Sequence, residues 1–262
     1  MFISSLYRAK PQDGVCWITG ASSGIGRGVA LEAARRGFTV IATARRLEAL
    51  EDLSREADGF SGRIFPMPCD ISDAAAILHL VAQIEDKHGP ISLAFLNAGT
   101  YRPVNAHPFD SDAFKDMFSV NVGGTINCLA AIMPLMCKRG WGQVALNASV
   151  AGYIGLPNSA AYSGTKAALI AIAESLKFDT DQYGVTMQVV NPGFVETPLT
   201  AKNDHPMPFL MPLDEAAKKI CDGFENEGFE ITFPWQLSRI LKGLRLLPYS
   251  LYFWLVGRAT QA

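Results

Sequence analysis

Charge is scarce in this chain. Acidic and basic side chains make up 18% of its 262 residues and nearly cancel, to a net −2. A general nucleic-acid binder carries a basic excess, so no nucleic-acid partner is expected. Cysteine is sparse too: Cys16, Cys69, Cys128, Cys137 and Cys221 are scattered, odd in number and form no CxxC pair. That spacing suits neither a disulfide framework nor a metal site, and it is expected of reduced, structural thiols in a reducing compartment. Repeats, low-complexity tracts and linkers are missing, so residues 1–262 are expected to form one domain, with a core over 12–232 and an extension over 233–262. Met1 to Lys10 lacks the sustained apolar core of a signal peptide. No uncharged apolar run is expected to reach the roughly 18 residues of a membrane span. A cytoplasmic protein is therefore expected, with any membrane association confined to its tail.

Apolar residues are plentiful, at 49%, and a chain of this length can bury a substantial core. Short apolar runs at Gly14–Thr19, Phe38–Ala44, Arg63–Met67, Ile91–Leu96, Gln143–Asn147 and Val185–Val190 read as buried strands. Between them Gly24–Arg36, Arg46–Ala57, Ser72–Lys87, Ser111–Cys137 and Ser159–Tyr183 have helical periodicity. Strand and helix in alternation imply an α/β fold, a doubly wound parallel sheet with right-handed crossovers and helices on both faces. From Thr197 to Pro212 the pattern lapses into a Pro-rich loop with apolar residues between, long for a mere connection and expected to act as a lid or substrate loop.

The first strand runs into Thr19-Gly20-Ala21-Ser22-Ser23-Gly24-Ile25-Gly26, where a helix opens. Three glycines there let the backbone turn sharply and approach a pyrophosphate seated on helix N–H groups, which makes Gly20, Ser22, Ser23, Gly24, Ile25 and Gly26 candidate cofactor ligands. The second strand ends in Ala44-Arg45-Arg46, with no carboxylate before Glu48. An acid at this place would bind a ribose 2′-OH; Arg45 suits a 2′-phosphate instead, which selects NADP(H) over NAD(H). The plain alternative is a solvated helix start, against which stands the unfavourable dipole for a cation there. Asp70 could contact an adenine edge or cap the next helix. Asn97-Ala98-Gly99 puts small residues at the fourth strand's end, where a ribose could lie. Asn121, followed by Gly123-Gly124, predicts a local irregularity in a long helix.

Tyr162 and Lys166 stand four apart in the Ala-rich helix, and so one turn from each other on one face. A phenol is a poor acid or base near neutral pH until its anion is stabilised, which an ammonium one turn away would do. Ser149, just past the fifth strand, can be carried to the same point. A half-buried tyrosine beside a solvated lysine is the plain alternative for the pair taken alone.

These stretches together resemble the short-chain dehydrogenase/reductase family, from about Gly14 to Thr200. Its TGxxxGxG motif matches Thr19 to Gly26, its NAG motif Asn97 to Gly99, its catalytic Asn and Ser match Asn121 and Ser149, its YxxxK Tyr162 to Lys166, and its PG motif Pro192-Gly193. The resemblance implies a seven-stranded Rossmann-type sheet and an oxidoreductase interconverting a carbonyl and an alcohol. It also implies Tyr162 as general acid/base, Lys166 binding the nicotinamide ribose and lowering the phenol's pKa, Ser149 orienting the carbonyl, and Asn121 keeping a water in a proton relay. Pro192, Gly193 and Thr197 join the expected cofactor contacts, and the family's arginine after the second strand matches Arg45. Leu96 stands where many members have a second Asn, and Ala148-Ser149 replaces the frequent Ser-Ser. A cofactor-bound scaffold without turnover is the alternative function.

The tail lies beyond the shared region. Leu237, Ile240, Leu241, Leu244 and Leu247 make one helical stripe, with Ser238, Arg239, Lys242 and Arg245 opposite, and Pro248 then leads into the aromatic stretch Tyr249 to Val256. Such a segment either packs on the domain or on a second subunit of a homo-oligomer, the expectation adopted, or makes peripheral membrane contact through residues 236–256. The loop residues Pro206 to Met211 suggest an apolar or lipid-like carbonyl or alcohol as substrate.

Overall fold

The structure, a computed structural model, describes residues 7–202, 206–226 and 228–261. Part of the signal-peptide expectation (residues 1–6) and part of the expected loop (203–205) lie outside the described residues.

Short apolar runs make the strands of this chain, and amphipathic segments between them make the helices. The strands are β1 (Val15–Thr19), β2 (Thr39–Thr43), β3 (Arg63–Pro66), β4 (Ile91–Leu96), β5 (Gly142–Asn147), β6 (Val185–Pro192) and β7 (Glu230–Phe233). They form one sheet in the order β3-β2-β1-β4-β5-β6-β7, every pair parallel. β1, β4, β5 and β6 are buried along their whole length, as parallel strands covered on both faces must be. The helices are α1 (Gly24–Arg35), α2 (Leu47–Glu56), α3 (Ala74–Lys87), α4 (Ser111–Phe118), α5 (Thr125–Arg139), α6 (Ala160–Thr180), α7 (Leu213–Glu225), α8 (Trp235–Arg245) and α9 (Tyr249–Gln261).

Alternation along each strand feeds two cores. Val15 and Trp17 of β1 face Ile77, Ile84, Leu129, Ile132 and Leu169 from α3, α5 and α6. Cys16 and Ile18 face Val29, Leu53, Ala217 and Ile220 from α1, α2 and α7. Arg36, just past α1, bonds Asp222 (2.6 Å) and Glu225 (2.8 Å) of α7. All five cysteines are free, and burial pushes the Cys16 and Cys128 thiols up, away from reactivity.

Four expectations need correction. β7 and α7 were not visible as elements. The Ser111–Cys137 helix is two helices joined by a π-helix at Ser119–Gly124, the irregularity expected at Asn121. Asp73, and not Asp70, caps α3, accepting from Ala76 N; Asp70 instead accepts from Ser72 N, closing a turn ahead of it. Finally, Met117–Cys137 is an uncharged run longer than expected, and Ser111–Arg139 has the length and apolarity of a membrane span. Its buried Cys128, Leu129, Ile132 and Met136 are spent on the sheet core.

Candidate active site

Strand order reverses its winding between β1 and β4, and at such a point the carboxyl ends of the strands open a crevice. The expected residues gather there because they end the strands: Gly20 after β1, Asn97 after β4, Ser149 after β5, Pro192 at the end of β6.

The glycine turn is built for close approach. Gly20 has φ +67°, and a Cβ on it would lie 2.7 Å from Ala98 Cα. A Cβ on Gly26 would lie 2.4 Å from both Gly20 O and Asn97 Nδ2. Ser23 precedes α1 without capping it through its side chain, so the helix's first N–H groups meet no side-chain acceptor from that residue. Thr197 reaches this helix end: a Cβ on Gly24 would lie 3.4 Å from Thr197 Cβ. A cradle lacking side chains, at an uncapped helix N-terminus, fits a dinucleotide's pyrophosphate. Arg45 is exposed at the end of β2, and Arg46 reaches back to Ser22 Oγ at 3.5 Å. Sequence reasoning had not placed Arg46 beside the turn.

Behind the turn runs a chain of polar bonds that the motifs did not announce. Thr19 Oγ1 accepts from Asn97 N (3.0 Å) and Ala98 N (3.1 Å), Asn97 Nδ2 donates to Thr19 O (3.0 Å), and Asn147 Nδ2 donates to Asn97 Oδ1 (2.8 Å). Asn147 O accepts from Lys166 Nζ at 2.7 Å. Thr19 and Asn147 are polar residues closing apolar strands, and that placement was the available signal for them.

Asn121 is fully buried, and its amide is spent on the chain itself. Nδ2 donates to Thr100 O (3.0 Å) and Thr165 Oγ1 (3.1 Å), Oδ1 accepts from Thr100 N (2.7 Å), and its backbone carbonyl accepts from Thr125 Oγ1 (2.8 Å). Asn121 thus clamps the segment after Gly99. Gly99 in turn sits where a Cβ would be 3.2 Å from Asn121 Oδ1 and 3.6 Å from Lys166 Nζ.

Tyr162 and Lys166 share the expected face of α6. Lys166 is 3% exposed, its Nζ is 5.5 Å from the Tyr162 ring centroid, and burial lowers its pKa to about 8. Tyr162 is half-buried against Tyr101, ring centroids 5.2 Å apart. Its pKa is pushed up to about 12 by burial, with a hydrogen bond from Ser149 pulling the other way. Burial is the largest influence on this phenol, ahead of Ser149 and Tyr101. A phenol shifted in this direction keeps its proton at neutral pH. Pro192 O, 3.4 Å from Ser149 Oγ, is the alternative acceptor for that hydroxyl's single proton, and Ser149 Oγ accepts from Ala151 N (3.1 Å), which fixes the start of the segment leading to Tyr162.

A carboxylate supports that segment from behind. Glu230 of β7 accepts from Tyr153 Oη, from Asn191 Nδ2 (2.7 Å) and from Lys242 Nζ of α8. Burial alone would raise its pKa, but these bonds outweigh it and hold Glu230 below the usual carboxylate range. The tail's stripe accordingly packs on the domain: Leu237 and Leu241 are buried in the core and Leu244 packs against it, while Ile240 stays 53% exposed. The opposite face is not wholly free, since Ser238 accepts from Thr232 Oγ1 (3.1 Å) and Arg245 donates to Tyr153 O (3.1 Å).

The expected loop is stitched at its base by a Val195–Met211 bridge and at its start by Thr197 and Thr200, whose hydroxyls are 3.1 Å apart. Leu199, Phe209 and Leu210 stay exposed on it. Among the described residues no cluster of His, Cys, Asp and Glu could hold a metal ion.

Comparison with known proteins bears on the family and the fold. A family model described as short chain dehydrogenase matches residues 14–207. An uncharacterized oxidoreductase of Myxococcus xanthus is 37% identical over 235 residues, 90% of this chain and 93% of that protein. The 3-oxoacyl-(acyl-carrier-protein) reductase of Thermotoga maritima is 32% identical over 188 residues, 72% of this chain and 76% of that protein. The crystal structure of a short-chain dehydrogenase from Streptomyces avermitilis superposes with a TM-score of 0.78 at 28% identity, over 88% of this chain and 91% of that one.

Proposed function

This chain belongs to the short-chain dehydrogenase family, oxidoreductases acting on alcohol and carbonyl groups, and from that premise we propose that it is an NADP(H)-dependent enzyme interconverting a carbonyl and an alcohol on an apolar substrate. The observation that carries this reading is the convergence of Ser149, Tyr162 and Lys166: a phenol bonded by Ser149, with a buried cation beside its ring.

Gly20, Ser22, Ser23, Gly24, Ile25 and Gly26 would cradle the pyrophosphate, and Arg45 would meet the 2′-phosphate. Asn97, Ala98, Gly99, Pro192, Gly193 and Thr197 would line the rest, with Asp70 near the adenine. The nicotinamide, when bound, supplies or takes the hydride. Everything else falls to the chain. Ser149 donates to the substrate oxygen, where negative charge develops during reduction. Tyr162 gives that oxygen its proton, and its raised pKa keeps the proton in place beforehand. Lys166, anchored on Asn147 O, places positive charge by the phenolate that results. Asn121 acts as a clamp on the segment after Gly99. Leu199, Phe209 and Leu210 offer the apolar surface for the substrate.

In the same reading residues 1–262 are one domain, since Leu237 and Leu241 of the extension join the core of the sheet. A homo-oligomer is part of it as well, with Ile126 and Leu135 of α5 and Phe178 of α6 as exposed apolar side chains open to a second copy.

Tyr162→Phe tests the whole. The variant is expected to bind NADPH like the wild type, by nucleotide fluorescence, and to lose about 10²-fold or more in turnover across a panel of ketones, hydroxysteroids and fatty acyl carbonyls. Equal turnover in the variant would remove Tyr162 from the chemistry, and no turnover in the wild type would leave a scaffold.

A further inference from the structure

Helices α8 and α9 carry an apolar surface that the fold does not use. Trp235, Ile240, Leu246, Tyr249, Phe253 and Trp254 are 53–86% exposed. Tyr252 of α9 is buried, and its hydroxyl donates to Gly155 O. A helix apolar on most sides is stable only where something apolar covers it.

The charges on this surface say what the cover is. From Trp235 onward the sequence has no Asp or Glu, while Arg239, Lys242, Arg245 and Arg258 are basic. Lys242 is spent on Glu230, and Arg245 bonds Tyr153 O. Arg239 and Arg258 instead lie over exposed indoles, 4.9 Å from the Trp235 ring and 4.7 Å from the Trp254 ring. Guanidinium on indole, beside bulky apolar side chains and with no acid on either helix, complements an anionic lipid interface: rings at headgroup level, cations at the phosphates. A second copy fits less well. A two-fold contact would set these cations against themselves, with no carboxylate on either helix to pair them.

The same helices touch the segment that leads to Tyr162. Gly155, where Tyr252 is anchored, lies in the segment between Ser149 and Tyr162. We propose that α8 and α9 dock the protein on an anionic lipid surface, and that the site takes a membrane-borne carbonyl or alcohol from it. The second clause rests on the oxidoreductase reading above.

Sedimentation of the full chain with phosphatidylcholine vesicles, with and without phosphatidylglycerol, tests the docking without any turnover. The wild type is expected to favour the anionic vesicles. Arg239→Glu with Arg258→Glu should weaken that binding by about tenfold or more, at about fivefold per charge near such a surface. Tyr249→Ser, Phe253→Ser and Trp254→Ser together should abolish it, with thermal stability and particle mass in solution unchanged. A wild type that sediments with neither vesicle overturns the proposal. So does a triple variant of lower particle mass, which would make a second copy the cover. For the supply of substrate, the triple variant should lose at least about fivefold in turnover of a long-chain ketone carried in anionic vesicles, and nothing with a short water-soluble ketone. Equal losses on both would make the helices part of the catalytic fold and overturn that clause. If the wild type reduces neither ketone, the oxidoreductase reading fails and the supply clause with it, while the vesicles still decide the docking.

Discussion

The floor of this site and its rim are held in different ways. On the floor, Thr19, Asn97, Asn147 and Lys166 bond to one another across β1, β4, β5 and α6, and Asn121 spends its whole amide on Thr100 and Thr165. Most of these groups are buried, and a buried polar group without its partner costs about 1–3 kcal/mol, so each bond constrains the next. On the rim, Leu199, Phe209 and Leu210 are exposed and apolar, on a loop stitched at its base and at its start. Chemistry requires positions kept within a fraction of an ångström, whereas recognition of an apolar substrate requires mainly surface. The floor is where changes should be costly.

Lys166→Met strikes the floor hardest. Turnover is expected to fall by about 10²–10⁴-fold, the scale of one acid–base group, because the phenolate loses its cation. Stability supplies a second readout. Burial depresses the Lys166 pKa from 10.5 to about 8, so between those values the unfolded chain binds the proton that the folded chain has released. Wild-type stability should therefore rise with pH through that window, the cost of the buried ammonium being fully present below it. Thermal unfolding should show the wild type gaining on Lys166→Met as the pH climbs from about 8 to about 10. A constant difference between the two would mean that Lys166 is not desolvated.

Glycine gives a direct contrast between the two regions. A Cβ on Gly26 would sit 2.4 Å from Gly20 O and Asn97 Nδ2, whereas a Cβ on Gly155, in the rim segment, would meet nothing within 4 Å. Gly26→Ala is expected to cost about 1–3 kcal/mol and to abolish nucleotide binding. Gly155→Ala should stay within about 0.5 kcal/mol of wild type. Comparable melting shifts in the two variants would erase the distinction drawn between floor and rim.

Arg45 sharpens the comparison, since it belongs to the cofactor side yet is exposed like the rim. Arg45→Ala should weaken NADPH binding tenfold to a hundredfold, about 1.5–3 kcal/mol for one charge-assisted contact, and leave NADH nearly unchanged. Equal affinity of the wild type for both nucleotides would show that the strand end does not select. Arg46, bonded to Ser22 Oγ, would then be the arginine to change next.

The sequence disclosed the frame of the floor more readily than its bonds. Six strands were legible because buried parallel strands read as short apolar runs, five of them ending at or beside Gly, Pro or Asn, and Asn121 with Gly123-Gly124 marked the π-helix. β7 was missed because Glu230 and Thr232 interrupt a strand of four residues. α7 was overlooked although its signal was there: Ala216, Ala217, Ile220, Cys221 and Phe224 recur at helical spacing and form its buried stripe. The Lys166–Asn147 and Asn147–Asn97 bonds were illegible for another reason. They join residues 19 and 50 positions apart, and a local pattern carries no distance between strand ends. The burial that raises the Tyr162 pKa was illegible likewise, since desolvation depends on everything packed around the phenol.

The smallest effect is expected at Phe209, and it tests the rim on its own terms. Phe209 is 47% exposed and has φ +58°, a left-handed conformation that glycine adopts freely and a bulky side chain does not. Phe209→Gly removes that strain, worth about 1 kcal/mol, and also removes a ring that covers little of the core. The two contributions oppose each other, so the melting temperature should stay level or rise slightly. Catalysis should change in one parameter only. With Tyr162, Ser149 and Lys166 untouched, kcat should persist while KM for an apolar ketone rises by a few-fold, the signature of lost binding that ground state and transition state share. A fall in kcat would bring Phe209 into the geometry of the reacting atoms. A melting loss of several kcal/mol would show that the strained backbone is upheld by packing as firm as that under Asn121, and the rim would then be part of the floor.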